Sequence, residues 1–309
     1  MIRFDRPVPR GGYAWWYVDA LSDDGRHALT LIAFIGSVFS PYYATARRLA
    51  PGRAAPEDFV AINLALYGPR GNRWTMTERR RHCLRAEADS LAIGPSRLAV
   101  DAGGLAAEIA EWSNPLPRRV RGTIRLVPHA LEPTTYKLDA AGRHRWQPLA
   151  PCARIRVAFT APELAWEGNA YLDRNDGDEP IAHAFRRWHW SRAATRQGAA
   201  ILYHAERRDG GQTSLALGFA AGGGATAFTP PPAAALPATR WRLARETRSD
   251  GGASLIRNLE DTPFYARARI GASLGGEPIE AVHETLDCDR LVHPAVQFML
   301  PFRMPRRFI

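Results

Sequence analysis

Strand-like runs, some alternating and some almost wholly apolar, recur along the whole chain, at 13–21, 28–34, 60–67, 120–127, 155–160, 200–207, 214–219, 241–247, 264–270 and 279–286. Side chains point to opposite faces of a strand with period two, so each run can bury one face of a sheet. Turns such as Asp23-Asp24-Gly25 and Asp209-Gly210-Gly211 separate neighbouring runs, as hairpins require. Helical signals are few: a segment opened by Pro41 at 41–49, one at 179–187 and one near 294–300. The pattern predicts an all-β chain of antiparallel sheets with a few short helices.

An internal echo divides that pattern. Setting GGYAWWYVDALSDDGRHALTL beside QGAAILYHAERRDGGQTSLAL matches Gly12 with Gly198, Tyr17 with Tyr203, Asp23 with Asp209, Gly25 with Gly211, Leu29 with Leu215 and Leu31 with Leu217, all at one offset. A constant register over this length reads as duplication. Each copy is expected to open a barrel or curled sheet, giving an N-terminal domain at 1–183 and a C-terminal domain at 184–309. Closed antiparallel barrels can hold a small or elongated ligand. The Pro-rich TPPPAAALPA at 229–238 lacks the donors a central strand needs and is expected to be a loop within the second domain.

Apolar content of 46% with 23% charged residues marks a globular chain. Its longest apolar stretch, 28–39, is too short to cross a bilayer, and MIRFDRPVPRGG lacks the apolar region of a secretory signal. A cytoplasmic protein, soluble or peripherally associated with a membrane, is the expectation. Cys83, Cys152 and Cys288 are odd in number and widely spaced, which argues against a disulfide framework or zinc site. The formal charge of +10 comes almost wholly from arginine, since Lys137 is the only lysine. Such a surface is attracted to anionic lipid, and the C-terminal FRMPRRFI could dock there or pack on the body. No helix-turn-helix, zinc or aromatic RNA-binding signature supports a nucleic-acid partner.

Chemistry concentrates in GNAYLDRNDGDEPIAHAFRRWHW, 168–190. On a strand, Tyr171 and Asp173 share a face, and the same spacing in His144-Arg145-Trp146 sets an imidazole beside an indole. One acid, one phenol, one imidazole and one large π face suit delivery of a proton to an apolar substrate and stabilisation of a carbocation. Other motifs fail on their own requirements. Asp173-Arg174-Asn175-Asp176-Gly177 lacks the ligand pattern of a calcium loop. Gly271-Ala272-Ser273-Leu274-Gly275 precedes an alternating run and so reads as a hairpin tip, not a hydrolase elbow. His183 and His189 have no supporting carboxylate or Cys pattern for a metal.

Four stretches together resemble one family. FDRPVPRGGYAWWYVDALSDDGRHALTLIAFIGSVFSPYY at 4–43, WTMTER at 74–79, the YLD turn at 171–173 and WHWSRA at 188–193 are similar to carotenoid 1,2-hydratase, also called hydroxyneurosporene synthase. The resemblance implies two tandem lipocalin-like barrels and a cofactor-independent hydro-lyase. Its implied reaction adds water across the terminal C1–C2 double bond of acyclic carotenoids such as neurosporene and lycopene, toward spheroidene- or spirilloxanthin-type pigments. The family's His-x-Trp and Tyr-x-Asp pairs fall on His144, Trp146, Tyr171 and Asp173.

On that reading Asp173 is the general acid, held protonated by an apolar surrounding, with Asp176, Asp178 and Glu179 adding to the effect if they come close. Trp146 offers its face to the cation, while His144 and Tyr171 hold the acid or orient water. Trp188 and Trp190 are candidates for lining a substrate tunnel, with domain packing as the alternative. Two rival readings keep the scaffold: a non-catalytic lipid or isoprenoid carrier, and a cation-mediated isoprenoid isomerase or cyclase.

Overall fold

A computed structural model describes residues 1–307. The chain is all-β, built of curled antiparallel sheets with few short helices, and divides into two compact units. One is Met1–Pro180 with the chain from Phe298 onward, and the other is Ile181–Gln297. Phe308 and Ile309, the end of the aromatic and basic tail, lie outside the described residues.

The first unit holds β1 (Tyr13–Ser22), β2 (Ala28–Ile35), β3 (Val60–Tyr67), β4 (Arg73–Arg79), β5 (Leu84–Ala86), β6 (Ser90–Ile93), β7 (Ser96–Asp101), β8 (Gly104–Trp112), β9 (Arg119–Pro128), β10 (Tyr136–Lys137), β11 (His144–Ala161) and β12 (Glu163–Gly177). They form one sheet in the order β4-β3-β2-β1-β12-β11-β9-β8-β7-β6-β5, with β10 on β11. The first strand thus pairs with the last, as in an up-and-down barrel. The sheet curls until Arg79 of β4 meets Glu111 of β8 in a buried pair at 2.7 Å, and Ser96 donates to the same carboxylate at 3.0 Å. Inside the curl, Trp16, Val18, Leu31, Ile62, Leu64 and Leu172 belong to one apolar core.

Strand β11 bends where Pro148 and Pro151 interrupt the ladder, since proline has no N–H to donate. Its pairing with β12 shifts register between Gln147 and Ala150 and again between Ala150 and Ala153.

The second unit holds β13 (Phe185–Thr195), β14 (Gly198–Arg207), β15 (Gln212–Ala220), β16 (Ala225–Ala227), β17 (Ala233–Leu236), β18 (Arg245–Arg248), β19 (Ser254–Asp261), β20 (Tyr265–Leu274) and β21 (Glu277–Asp287). The order β16-β15-β14-β13-β21-β20-β19 again joins first strand to last, and β17 pairs with β18 apart from it. Its buried face is more polar than the first unit's. His189 bonds Thr285 at 2.9 Å, Thr285 lies 3.2 Å from His283, and His283 bonds Ser191 at 2.8 Å.

The helices are α1 (Pro41–Leu49), α2 (Ile181–Ala184), α3 (Cys288–Leu291) and α4 (Pro294–Arg303). Ser40 caps α1 by accepting the Tyr43 N–H at 2.9 Å. Among the described residues no helix is long and apolar enough to cross a membrane.

Three expectations change. The helix expected at 179–187 shrinks to α2, because Phe185 and the alternating residues after it enter β13 and pair with both β14 and β21. The strand expected at 241–247 begins only at Arg245; Arg240 and Trp241 form a turn, and Arg242 follows it with φ +56°. The Pro-rich segment contains β17, clear of its prolines.

The sequence echo also parts company with the pairing. Both copies are hairpins, yet Tyr17 faces Ile32 while Tyr203 faces Leu215. Leu29 and Leu31 therefore join the core opposite Tyr17, whereas Leu215 and Leu217 share a face with Tyr203. The two matched hairpins thus differ in sheet register.

Candidate active site

Three adjacent strands build one patch in the first unit. Along β12, Tyr171, Asp173 and Asn175 alternate with Leu172 and Arg174, so the first three share a face and Leu172 enters the core on the other. On one side β1 sets Asp19 opposite Tyr171, Tyr17 opposite Asp173, Trp15 opposite Asn175 and Tyr13 opposite Gly177. On the other side β11 sets Trp146 opposite Asn175 and His144 opposite Gly177. Directly opposed residues of an antiparallel pair lie on the same face. Hence all four expected residues, His144, Trp146, Tyr171 and Asp173, meet on the face turned away from the apolar core, and all are buried.

The acid sits at the centre of this patch. Tyr171 donates its hydroxyl to Asp173 Oδ2 at 2.8 Å, and Trp146 Nε1–H lies 3.0 Å from both that oxygen and the Tyr171 hydroxyl. Asn175 Nδ2 donates to Asp173 Oδ1 at 3.0 Å. Trp146 therefore reaches the acid by its N–H edge, where a face had been expected, and its ring packs against Tyr136 at 5.4 Å. Each charge-assisted or neutral bond of this kind contributes about 1 kcal/mol, and together they fix one carboxyl orientation.

His144 lies one step further along. Its Nδ1 is 2.8 Å from the Tyr13 hydroxyl, its backbone N–H donates to Asp139 Oδ1 at 2.7 Å, and Nε2 is 3.7 Å from Glu179. Burial lowers the imidazole's pKa against the opposing pull of Asp139 and Glu179, which favours the neutral ring. Gly177 makes the Tyr13–His144 bond possible: a Cβ there would stand 2.4 Å from the Tyr13 ring and 2.8 Å from His144 Nδ1.

The acidic turn does not crowd Asp173. Asp176 and Asp178 both pair with Arg145 at 2.5 Å, Asp176 also with Arg174 at 2.6 Å, and Glu179 with Arg143 at 3.1 Å. Hydrogen bonding to Arg145 holds the Asp178 carboxyl below its usual pKa. Period two explains the separation, because Asp176 is three residues from Asp173 and so lies on the opposite face.

Several members of the patch were not singled out from sequence. Tyr17 meets Tyr171 edge-on at 6.2 Å, Tyr13 stacks on Trp15 at 5.0 Å, and Trp15 lies 6.1 Å from Phe34. Asp19, fully buried, and Asn175 complete the polar part. The signal was present in the alternation of YAWWYVD, whose odd positions carry Tyr13, Trp15, Tyr17 and Asp19. Trp188 and Trp190 belong to the second unit, where both are buried and Trp188 packs between Phe185 at 5.9 Å and Tyr203 at 6.1 Å. Cys83, Cys152 and Cys288 are free thiols. Among the described residues no group of three His, Cys, Asp or Glu could hold a metal ion.

The family model described as carotenoid hydratase CrtC matches residues 31–309. The chain belongs to the carotenoid hydratase family. Acyclic carotenoid 1,2-hydratases of Rubrivivax gelatinosus and Thiocapsa roseopersicina are each 50% identical to this family member, over 99% and 98% of its length and 76% and 75% of their own. That of Cereibacter sphaeroides is 40% identical over 90% of this chain and 98% of its own. Among solved structures, an AttH-assigned protein of Nitrosomonas europaea superposes with TM-score 0.61 at 15% identity, covering 89% of this chain and 92% of its own. Kievitone hydratase of Nectria haematococca follows with TM-score 0.52 at 9% identity, covering 91% and 90%. Those two likenesses place this carotenoid hydratase family member in the same lipocalin-like fold.

Proposed function

We propose that the chain is an acyclic carotenoid 1,2-hydratase in which Asp173 protonates the terminal C1–C2 double bond of a polyene such as neurosporene or lycopene. The proton goes to C2, the less substituted carbon, and leaves a tertiary cation at C1. A water oxygen then bonds to C1, and its surplus proton returns to the Asp173 carboxylate. The reaction is balanced without a cofactor.

One observation carries this reading: the buried Asp173 carboxyl, gripped by Trp146, Tyr171 and Asn175, faces a cluster of aromatic rings. Oδ2 accepts from Tyr171 and Trp146 and Oδ1 from Asn175, which together fix the direction in which the carboxyl presents its proton. Tyr171 and Trp146 hold the acid, while neutral His144 with Tyr13 orients the water. The rings of Tyr17 and Trp15 stabilise the developing cation by about 0.5–2 kcal/mol. The family and the 50% identity to two hydratases support the substrate class.

Expression of the chain in a lycopene-accumulating host, followed by mass analysis of the pigments, tests the proposal. A gain of one or two waters, with the oxygen drawn from labelled water into a tertiary alcohol, is the expected result. An isomeric or cyclised pigment of unchanged mass would assign the site to a different cation reaction, and unaltered pigment with folded protein would make it a carrier.

A further inference from the structure

Helix α4 exposes an apolar stripe where a surface helix normally turns polar residues to water. Ala295, Phe298, Met299 and Phe302 follow helical spacing on one side, with Phe298 75% and Phe302 68% exposed. The two phenyl rings contact each other edge to face at 6.3 Å, which joins them into a single projecting surface. Val296, Leu300 and Met304 lie on the buried side, so the exposed stripe is a second apolar face and not the one that anchors the helix.

The chain around the helix is basic in sequence. After Asp289 no acidic residue occurs, and the charged residues are Arg290, Arg303, Arg306 and Arg307, with His293 beside them. Arg303 lies over the Trp74 ring at 4.4 Å, and Arg306 pairs with Glu78 at 2.8 Å while covering the Phe59 ring at 4.5 Å. These contacts tie the C-terminal end of the helix to the first sheet, so the phenyl rings project from a fixed base. The chain as a whole carries +10.

We infer that this face of α4 docks on an anionic phospholipid bilayer, with Phe298, Met299 and Phe302 entering the headgroup boundary and exposed basic residues such as Arg307 meeting lipid phosphates. An apolar stripe rimmed by cations is the chemistry of a helix lying in the membrane interface, and each basic residue near such a surface adds to the attraction. The excess of arginine over acidic residues from Arg290 onward, on a chain of net charge +10, favours an anionic bilayer over a neutral protein surface as what covers the stripe. Resting on the reading of a polyene substrate, the docking also holds the enzyme against the phase in which so apolar a molecule dissolves.

Flotation of the purified full chain with phosphatidylcholine vesicles, with and without phosphatidylglycerol, tests the docking. Recovery with the anionic vesicles is expected, falling as salt rises because screening weakens the attraction. The double substitution Phe298→Ser, Phe302→Ser is expected to lower partitioning at least about tenfold, since two exposed rings lose their apolar burial. Circular dichroism and hydration of detergent-dispersed lycopene keep the two proposals separable: the double variant should retain both. Equal flotation of the variant, or no flotation of the native chain, would overturn the inference. Conversion of a native dimer to monomers by the same substitutions, with flotation absent throughout, would assign the stripe to a second copy of the chain.

Discussion

Tyr171 donates its hydroxyl to Asp173 Oδ2 at 2.8 Å across one intervening residue, and that residue, Leu172, is packed in the apolar core on the other face of the strand. The Asp173 carboxyl is thus positioned by a rigid element rather than by a loop. Its orientation is fixed by neighbours on β11 and on its own strand, Trp146 and Asn175.

Replacing Asp173 with Asn keeps the side-chain shape and removes the acid. Hydration in lycopene-containing extracts should fall by about a hundredfold to ten-thousandfold, the range over which positioned acids act. Retained far-UV circular dichroism would show that the fold survives, and near-native turnover would remove Asp173 from the mechanism.

Tyr171→Phe deletes the hydrogen bond to Asp173, worth about 1 kcal/mol, and the Trp146 bond to the same hydroxyl, and leaves Trp146 and Asn175 holding the carboxyl. A loss of about tenfold in rate with little change in melting temperature is expected. Trp146→Phe removes the Nε1–H bonds and part of a fully buried ring, so it should also lower stability, by about 2–3 kcal/mol in urea titrations.

Gly177→Ala forces a methyl group into the Tyr13 ring and His144 Nδ1. Separation of that pair should lower the hydration rate, while Gly251→Ala, where the nearest atom is 3.9 Å away, should leave it unchanged. Parallel turnover and thermal melts of the two variants check the contrast.

His283 is fully enclosed, and burial lowers its pKa to about 3. The unfolded chain binds a proton near pH 6.5 that the folded chain refuses, so stability is present above that pH and is lost as pH falls toward 3. At about pH 5 the loss from His283 alone is about 2 kcal/mol. Glu78, raised to about 7 by burial, acts in the opposite direction, losing stability as pH rises from 4.5. The acid-limb slope of denaturant midpoints should therefore flatten in His283→Gln relative to the native chain, and an unchanged slope would refute the assignment.

Much of the candidate site could be read from spacing. Tyr171 and Asp173 share a face because strand alternation demands it, and His144 and Trp146 do so for the same reason. That the two pairs are neighbours could not be read, since β11 reaches β12 through two register shifts set by Pro148, Pro151 and the residues between them. One residue of slip would have sent Trp146 to the core. The distribution of the acidic turn among Arg143, Arg145 and Arg174 was equally hidden, because those pairings depend on which strands are adjacent.

Local alternation and turn chemistry determined by themselves that this chain folds as curled antiparallel sheets, and the Trp- and Tyr-rich strings determined its family. Only the tertiary structure decided which face of β12 looks into the core. Both faces of β1 are almost wholly buried, and period two distinguishes two faces without naming the inner one. Long-range pairing, filling the curl with Leu172 and its neighbours, turned Asp173 outward to the aromatic patch.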